Sequence, residues 1–299
     1  LTILVQFSDL TFSSANPQVD FFNLFNLDGY SENGATGSVW NYFHENSSGT
    51  FNPQFDVIGP VTVSGPVSYY GANDDEGNSI YERAREMVVE AVDLADQLGL
   101  DFSQYDNDGD GYIDNINIIY AGLAESSGGP DYTIWPHASS IYNRRTVDGV
   151  ITGKYACSSE MKGSPGYERP PVIGTICHEF GHVLGLPDFY DTDYEENGTA
   201  RGLGIFALMS NGGHNDLGRT PPYLTSIERD MLGWLDNDPV VIEEEGDYSL
   251  APVFENVCYV SETANEGEFF LYEYRKQVGW DAYIPSGLLI YHIDMSENV

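Results

Sequence analysis

The sequence is poor in positive charge: 12 Lys and Arg stand against 47 Asp and Glu, a formal net charge of -35. So acidic a chain is repelled by phosphate backbones and anionic bilayers, which argues against nucleic acid and membrane surfaces as partners. It lacks any run of about 18 apolar residues, so no membrane-spanning helix is expected. Cysteine is scarce and odd in number, at positions 157, 177 and 258. Three thiols build no disulfide framework; Cys177 reads as a small core residue, and Cys157 with Cys258 is left as a candidate bridge. No internal repeat is visible, and there is no Gly-x-Ser-x-Gly elbow. A leader and an initiator Met are also missing. The chain opens on an apolar strand, Leu1–Phe7, as expected of a processed piece of a longer precursor.

What is present suffices for a large core. Apolar residues make up 41% of 299, including 21 Tyr, 15 Phe and 4 Trp. That is enough for one large domain or two, and it excludes a disordered chain. Pro17 to Phe25 and Ser38 to Asn46 read as short helices with aromatic faces. Residues 51–63 read as strand broken by Pro53 and Gly59-Pro60. A long helix is expected from Asn78 to Leu98, on the helical period of Ile80, Ala84, Met87, Val88, Ala91, Val92 and Leu94.

The chemistry centres on Thr175-Ile-Cys-His-Glu-Phe-Gly-His-Val-Leu-Gly-Leu-Pro-Asp188. On a helix of about residues 172–185, His178 and His182 fall one turn apart on one face. This His-Glu-x-x-His spacing suits one zinc ion, with Glu179 as general base. Ile173, Ile176, Cys177, Phe180, Val183 and Leu184 supply a buried stripe. Gly185 ends the helix, Pro187 forbids its continuation, and the chain returns with Asp188 as candidate third ligand. Glu228, on a helix expected from Tyr223 to Leu232, is the rival. The alternative to a metal site is an amphipathic helix whose histidines are surface or core residues.

A second pattern, Asp106-Asn-Asp-Gly-Asp-Gly-Tyr-Ile-Asp114, places Asp106, Asp108 and Asp110 at positions one, three and five of a calcium loop. Tyr112 offers a carbonyl at seven, and Asp114 stands at nine. Asn117 at twelve replaces the usual Glu, and a strand follows instead of a helix. The expectation is a structural calcium, against the plainer reading of a solvated turn. The Gly-, Ser- and Pro-rich stretch 126–170 is expected to wrap the site or to give an edge strand able to pair with extended peptide. Asp191 to Asn197 reads as solvated charge before a metal role. Met209 sits in a glycine-bounded turn suited to an apolar floor beneath the zinc, with core packing as the alternative. Tyr223, His214 and His137 are weak candidates for an oxyanion donor.

In order along residues 1–235, these motifs, with Ala-Leu-Met-Ser-Asn-Gly (207–212), Leu-Gly-Trp (232–234) and the opening strand ending Gln6-Phe7-Ser8-Asp9, resemble the immune inhibitor A family of secreted bacterial zinc metallopeptidases. The resemblance implies an α+β, zincin-like catalytic domain with a mixed sheet, a long backing helix and a zinc-binding active-site helix. It implies a secreted, extracellular bacterial endopeptidase acting on proteins or peptides, and an inhibitory pro-segment removed on activation. By likeness to zincins with a Met-turn, Met209 would underlie the zinc. Asp188 fits the extended family pattern, where better-known relatives carry His. The expected division is a catalytic domain over 1–239 and a truncated β-rich segment over 240–299. One zinc and at least one calcium are the expected cofactors. Rival functions are a binding module with a structural metal, and a zinc hydrolase acting on glycans or esters.

Overall fold

A computed structural model describes residues 1–142, 144–192, 202–236 and 238–295; most of the acidic segment 191–197 lies outside the described residues. At its centre is a five-stranded sheet. β1 (Thr2–Gln6) runs parallel to β2 (Val57–Thr62) on one side and to β3 (Ile116–Leu123) on the other. β4 (His137–Ser140) forms the far edge, antiparallel to β7 (Lys154–Met161), which is parallel to β3. Between them β5 (Thr146–Val147) and β6 (Val150–Ile151) make a small hairpin. Only 57–62 of the stretch 51–63 pairs, and its Pro60 sits in an edge strand, where a missing N–H leaves no ladder bond unmade.

The interior strands are apolar on both faces. Ile3, Val5, Ile118 and Tyr120 belong to one core; Leu4, Ile119 and Ala121 belong to the other. This is the two-residue alternation of strands covered on both sides. α1 (Pro17–Asn26), α2 (Val39–Asn46) and α5 (Ile173–Leu184) pack on the Leu4 side. α3 (Val67–Tyr70) and α4 (Tyr81–Gln97) pack on the Ile3 side. α4 buries Ala84, Met87, Val88, Ala91, Val92 and Ala95 on one stripe. It starts three residues later than the expected Asn78, because Ser79 pairs with Asn73 and the Ile80 amide donates to the Ala72 carbonyl.

α6 (Ser226–Met231) is also shorter than expected at its start. Thr225 caps it in a box with Glu228, while the amides of Tyr223 and Leu224 donate to Asp281 and Asn46 instead of a helix. The C-terminal strands β8 (Val240–Val241), β9 (Tyr259–Glu262), β10 (Glu268–Arg275) and β11 (Gly287–Asp294) form a second sheet in the order β11–β10–β9–β8. Its connections reach back: Val253 and Trp280 lie in the α5-side core. Arg275, fully buried, donates to Glu273 at 2.7 Å and Asp281 at 3.1 Å. It also donates to the carbonyls of Tyr223 at 2.8 Å and Phe206 at 2.9 Å. Cys157, Cys177 and Cys258 are all free and buried, so the candidate Cys157–Cys258 bridge is not formed; the two sit in separate cores. Among the described residues no helix is long and apolar enough to cross a membrane.

Candidate metal centre

α5 is held flat against its neighbours by two glycines. A Cβ on Gly174 would lie 1.9 Å from the Gly213 carbonyl oxygen, and one on Gly181 would lie 2.5 Å from Met209 Sδ. Seven residues apart, both face the 207–213 turn, which therefore lies directly beneath the helix. Neither glycine was singled out by the motif, although their two-turn spacing in a helix was a readable sign of close approach. Met209 is fully buried there.

The helix ends as its sequence dictates. Gly185 takes φ 107°, and the amides of Gly185 and Leu186 donate to His182 and Gly181. Phe189 N–H then donates to the Met209 carbonyl at 2.7 Å. Asp188 lies between these two anchored points and is carried back to the histidines. Its Oδ1 is 3.3 Å from His178 Nε2 and 3.4 Å from His182 Nε2. The three ligand atoms all lie within 4.8 Å of one another.

The opposite ring nitrogens are committed. His178 Nδ1 is 2.9 Å from the Leu208 carbonyl, and His182 Nδ1 is 2.9 Å from the Leu186 carbonyl. A carbonyl only accepts, so each Nδ1 carries the proton and each Nε2 presents a lone pair. Asp188 Oδ1 is shielded from solvent and, among the described residues, accepts no well-aligned hydrogen bond. Tetrahedral coordination at about 2.0–2.1 Å would set ligand atoms about 3.3–3.4 Å apart, the spacing found here between Asp188 and each histidine. The donor set therefore fits a zinc ion.

Electrostatics agree with a shared charge. Burial lowers the His178 and His182 imidazoles, but the Asp188 carboxylate outweighs it and leaves both above their ordinary value. Burial raises Asp188, yet the two histidines hold it well below the usual carboxylate range. Glu179, on the same helix face, is buried and raised chiefly by that burial. Glu228 is not near this convergence. Its Oε1 accepts Met209 N–H at 2.9 Å, and its Oε2 accepts the amide and hydroxyl of Thr225 at 2.6 and 2.9 Å. The rival carboxylate thus holds the turn under the helix.

A cleft of about 840 Å³ opens on this group, with His178, Glu179, His182 and Asp188 on one wall and β4 with Trp135 on the other. His137 lines it, but Nδ1 donates to the Trp135 carbonyl and Nε2 accepts from Tyr155 Oη, each at 2.7 Å. Burial pushes its imidazole down to about 4. Tyr223 and His214 do not line the cleft.

In the acidic loop, Asp106, Asp108 and Asp114 bring oxygens within 4.8 Å of one another, whereas Asp110 accepts the Tyr112 amide at 2.8 Å and stays outside that group. Tyr112 itself pairs with Ile151, so the loop is stitched to the β5–β6 hairpin.

The sequence model for the catalytic domain of immune inhibitor A peptidase M6 matches residues 11–237. The chain belongs to this family. Immune inhibitor A of Bacillus thuringiensis subsp. alesti is 31% identical over 192 residues, which is 57% of this chain and 28% of that protein. The pre-pro-metalloprotease PrtV of Vibrio cholerae is 27% identical over 250 residues, 72% of this chain and 27% of the relative. An extracellular small neutral protease of Streptomyces lividans is 31% identical over 121 residues, 40% of this chain and 46% of that one. The chain thus spans less than a third of the length of the first two relatives. The family-matched stretch, a peptidase catalytic domain, contains α5 and the whole His178–His182–Asp188 group.

Proposed function

We propose that the chain is the catalytic part of an extracellular, zinc-dependent endopeptidase with a zincin-like fold. Support comes from one observation above all: two imidazole nitrogens and one shielded carboxylate oxygen converge within 4.8 Å of one another on the wall of an open cleft. His178, His182 and Asp188 hold the ion, and Met209 forms the apolar floor beneath their helix. Bound there, zinc supplies Lewis acidity, polarising the scissile carbonyl and lowering the pKa of a water towards 7.

Glu179 performs the proton work. Its carboxylate faces the cleft beside the ligands, takes a proton from the attacking water and delivers it to the leaving amine. Burial raises its basicity, which suits it to that exchange. Among the described residues β4 is an edge strand along the cleft, to which an extended substrate backbone adds. Residues 1–239 form the catalytic unit, and 240–299 form the β-rich segment that braces it through Arg275 and Trp280. The loop of Asp106, Asp108 and Asp114, with Asp110 and Tyr112, holds a structural calcium.

The test is Glu179→Gln in the zinc-loaded protein. It should keep its zinc by metal analysis and lose casein hydrolysis by about two to four orders of magnitude. Undiminished hydrolysis by that variant, or hydrolysis indifferent to a zinc chelator, would sink the assignment.

A further inference from the structure

The wall of the cleft carries a charge that the hydrolytic chemistry does not use. Glu125 follows β3 and lines the same cleft as the histidines. One carboxylate oxygen, Oε1, accepts from Asn73 Nδ2 at 3.0 Å. The other, Oε2, is shielded from bulk solvent and accepts no hydrogen bond among the described residues. Among the described residues, no Lys, Arg or His forms an ion pair with it within 4 Å. A half-buried carboxylate without a counter-ion is an uncompensated charge in a medium less polarisable than water, so it attracts a cation strongly.

The strand register gives this charge a direction. Leu123 pairs with Met161 at one end of β7, and Lys154 pairs with Ser140 of β4 at the other. Glu125 lies just beyond the first end, and Lys154 lines the cleft at the second. The cleft is therefore acidic at one end and basic at the other. The acidic end is reinforced by exposed Asp74, Asp75 and Glu76, which directly precede the Gly77–Ser79 stretch of the cleft wall. The Asn73 bond ties that segment to Glu125. The overall charge of -35 also draws cationic peptides to the protein.

We propose that Glu125 is a specificity-determining residue that selects a Lys or Arg side chain on one side of the scissile bond. The inference rests on the peptidase reading above and names the substrate class of that same site. A basic side chain laid along β4 meets the Glu125 carboxylate at one end and is repelled by Lys154 at the other, so the preference is one-sided.

The experiment uses the zinc-loaded chain and a mixed peptide library, with cleavage sites read by mass spectrometry, followed by matched peptides carrying Lys or Gln at the enriched position. Wild type should show Lys or Arg enriched at one subsite and a Lys-to-Gln ratio in kcat/KM on the order of tenfold, falling with added salt. Glu125→Gln should bring that ratio close to one, and Glu125→Lys should turn it in favour of Gln. Because both substrates are compared on one sample, the ratio is independent of the folded fraction. Library cleavage with no basic enrichment, or a ratio that survives Glu125→Gln, overturns the inference and leaves the peptidase reading standing. No chelator-sensitive cleavage at all overturns both.

Discussion

The Met209 amide donates to Glu228 Oε1 at 2.9 Å, so a buried carboxylate on α6 fixes the turn that lies beneath the histidine helix. Glu228 is fully buried, accepts three hydrogen bonds, and also caps its own helix. Burial raises its pKa against those donors. Glu228→Gln replaces one acceptor with an NH₂ facing donors. We expect a loss of about 1–3 kcal/mol in urea unfolding, together with weaker zinc retention in a chelator competition. Equal stability and zinc retention would show that the bond does not set the turn.

Gly181 leaves no room for a side chain above Met209. Gly181→Ala should lower stability by about 1–3 kcal/mol through overpacking, and lower peptidase activity because the helix carrying His178 and His182 must shift. Paired Gly181→Ala and Met209→Ala changes should be less than additive, since the second removes the clashing sulfur. Thermal melts of the single and double variants check this.

His137 is held neutral by burial, with its pKa pushed down to about 4 against an ordinary value of 6.5. In the folded chain it binds fewer protons than when unfolded between those pH values. Stability from this residue is therefore full above pH 6.5 and is lost as pH falls through 4, by at most about 3 kcal/mol. The measurement is the difference in melting temperature between pH 7 and pH 4.5, taken on metal-free protein. His137→Gln should show a smaller drop than wild type; the same drop in both would rule out this contribution.

Arg275 ties the C-terminal sheet to the segments at Phe206 and Tyr223. Its guanidinium is fully buried with Glu273 and Asp281 and donates to carbonyls at 206 and 223. Arg275→Met strands two buried carboxylates, and a loss of about 3–5 kcal/mol is expected. Because Phe206 stands just before the Met209 turn, peptidase activity should fall with stability. Retained activity in a destabilised variant would separate the C-terminal sheet from the site.

Calcium removal should act on the loop and not on the histidines. A calcium-selective chelator is expected to lower the melting temperature while zinc content stays constant. Asp108→Asn should reduce that shift, and a melt unchanged by calcium would count against the loop as a site.

Much of the site was legible because its logic is local. The His178–His182 spacing, the Gly185 stop and the Pro187 turn are fixed within a dozen residues by helical period and backbone sterics, and they turn the chain back with Asp188 as a candidate ligand. β1 and β3 were legible as strands for the same reason, since an apolar run is a property of consecutive residues. The longer helices were less so at their starts. Ile80 and Tyr223 keep a helical period, but their amides bond to Ala72 and Asp281, partners that no local pattern reveals.

The sequence by itself determined an acidic chain with a His-Glu-x-x-His helix stopped at Gly185, because charge, period and turn chemistry act between near neighbours. The tertiary structure alone decided which carboxylate faces the histidines. Asp188 and Glu228 are alike in chemistry, and only packing sends one to the cleft and the other under Met209. It also set Glu125 beside the cleft, since strand register joins residues far apart in the chain, and separation in sequence carries no information about that distance.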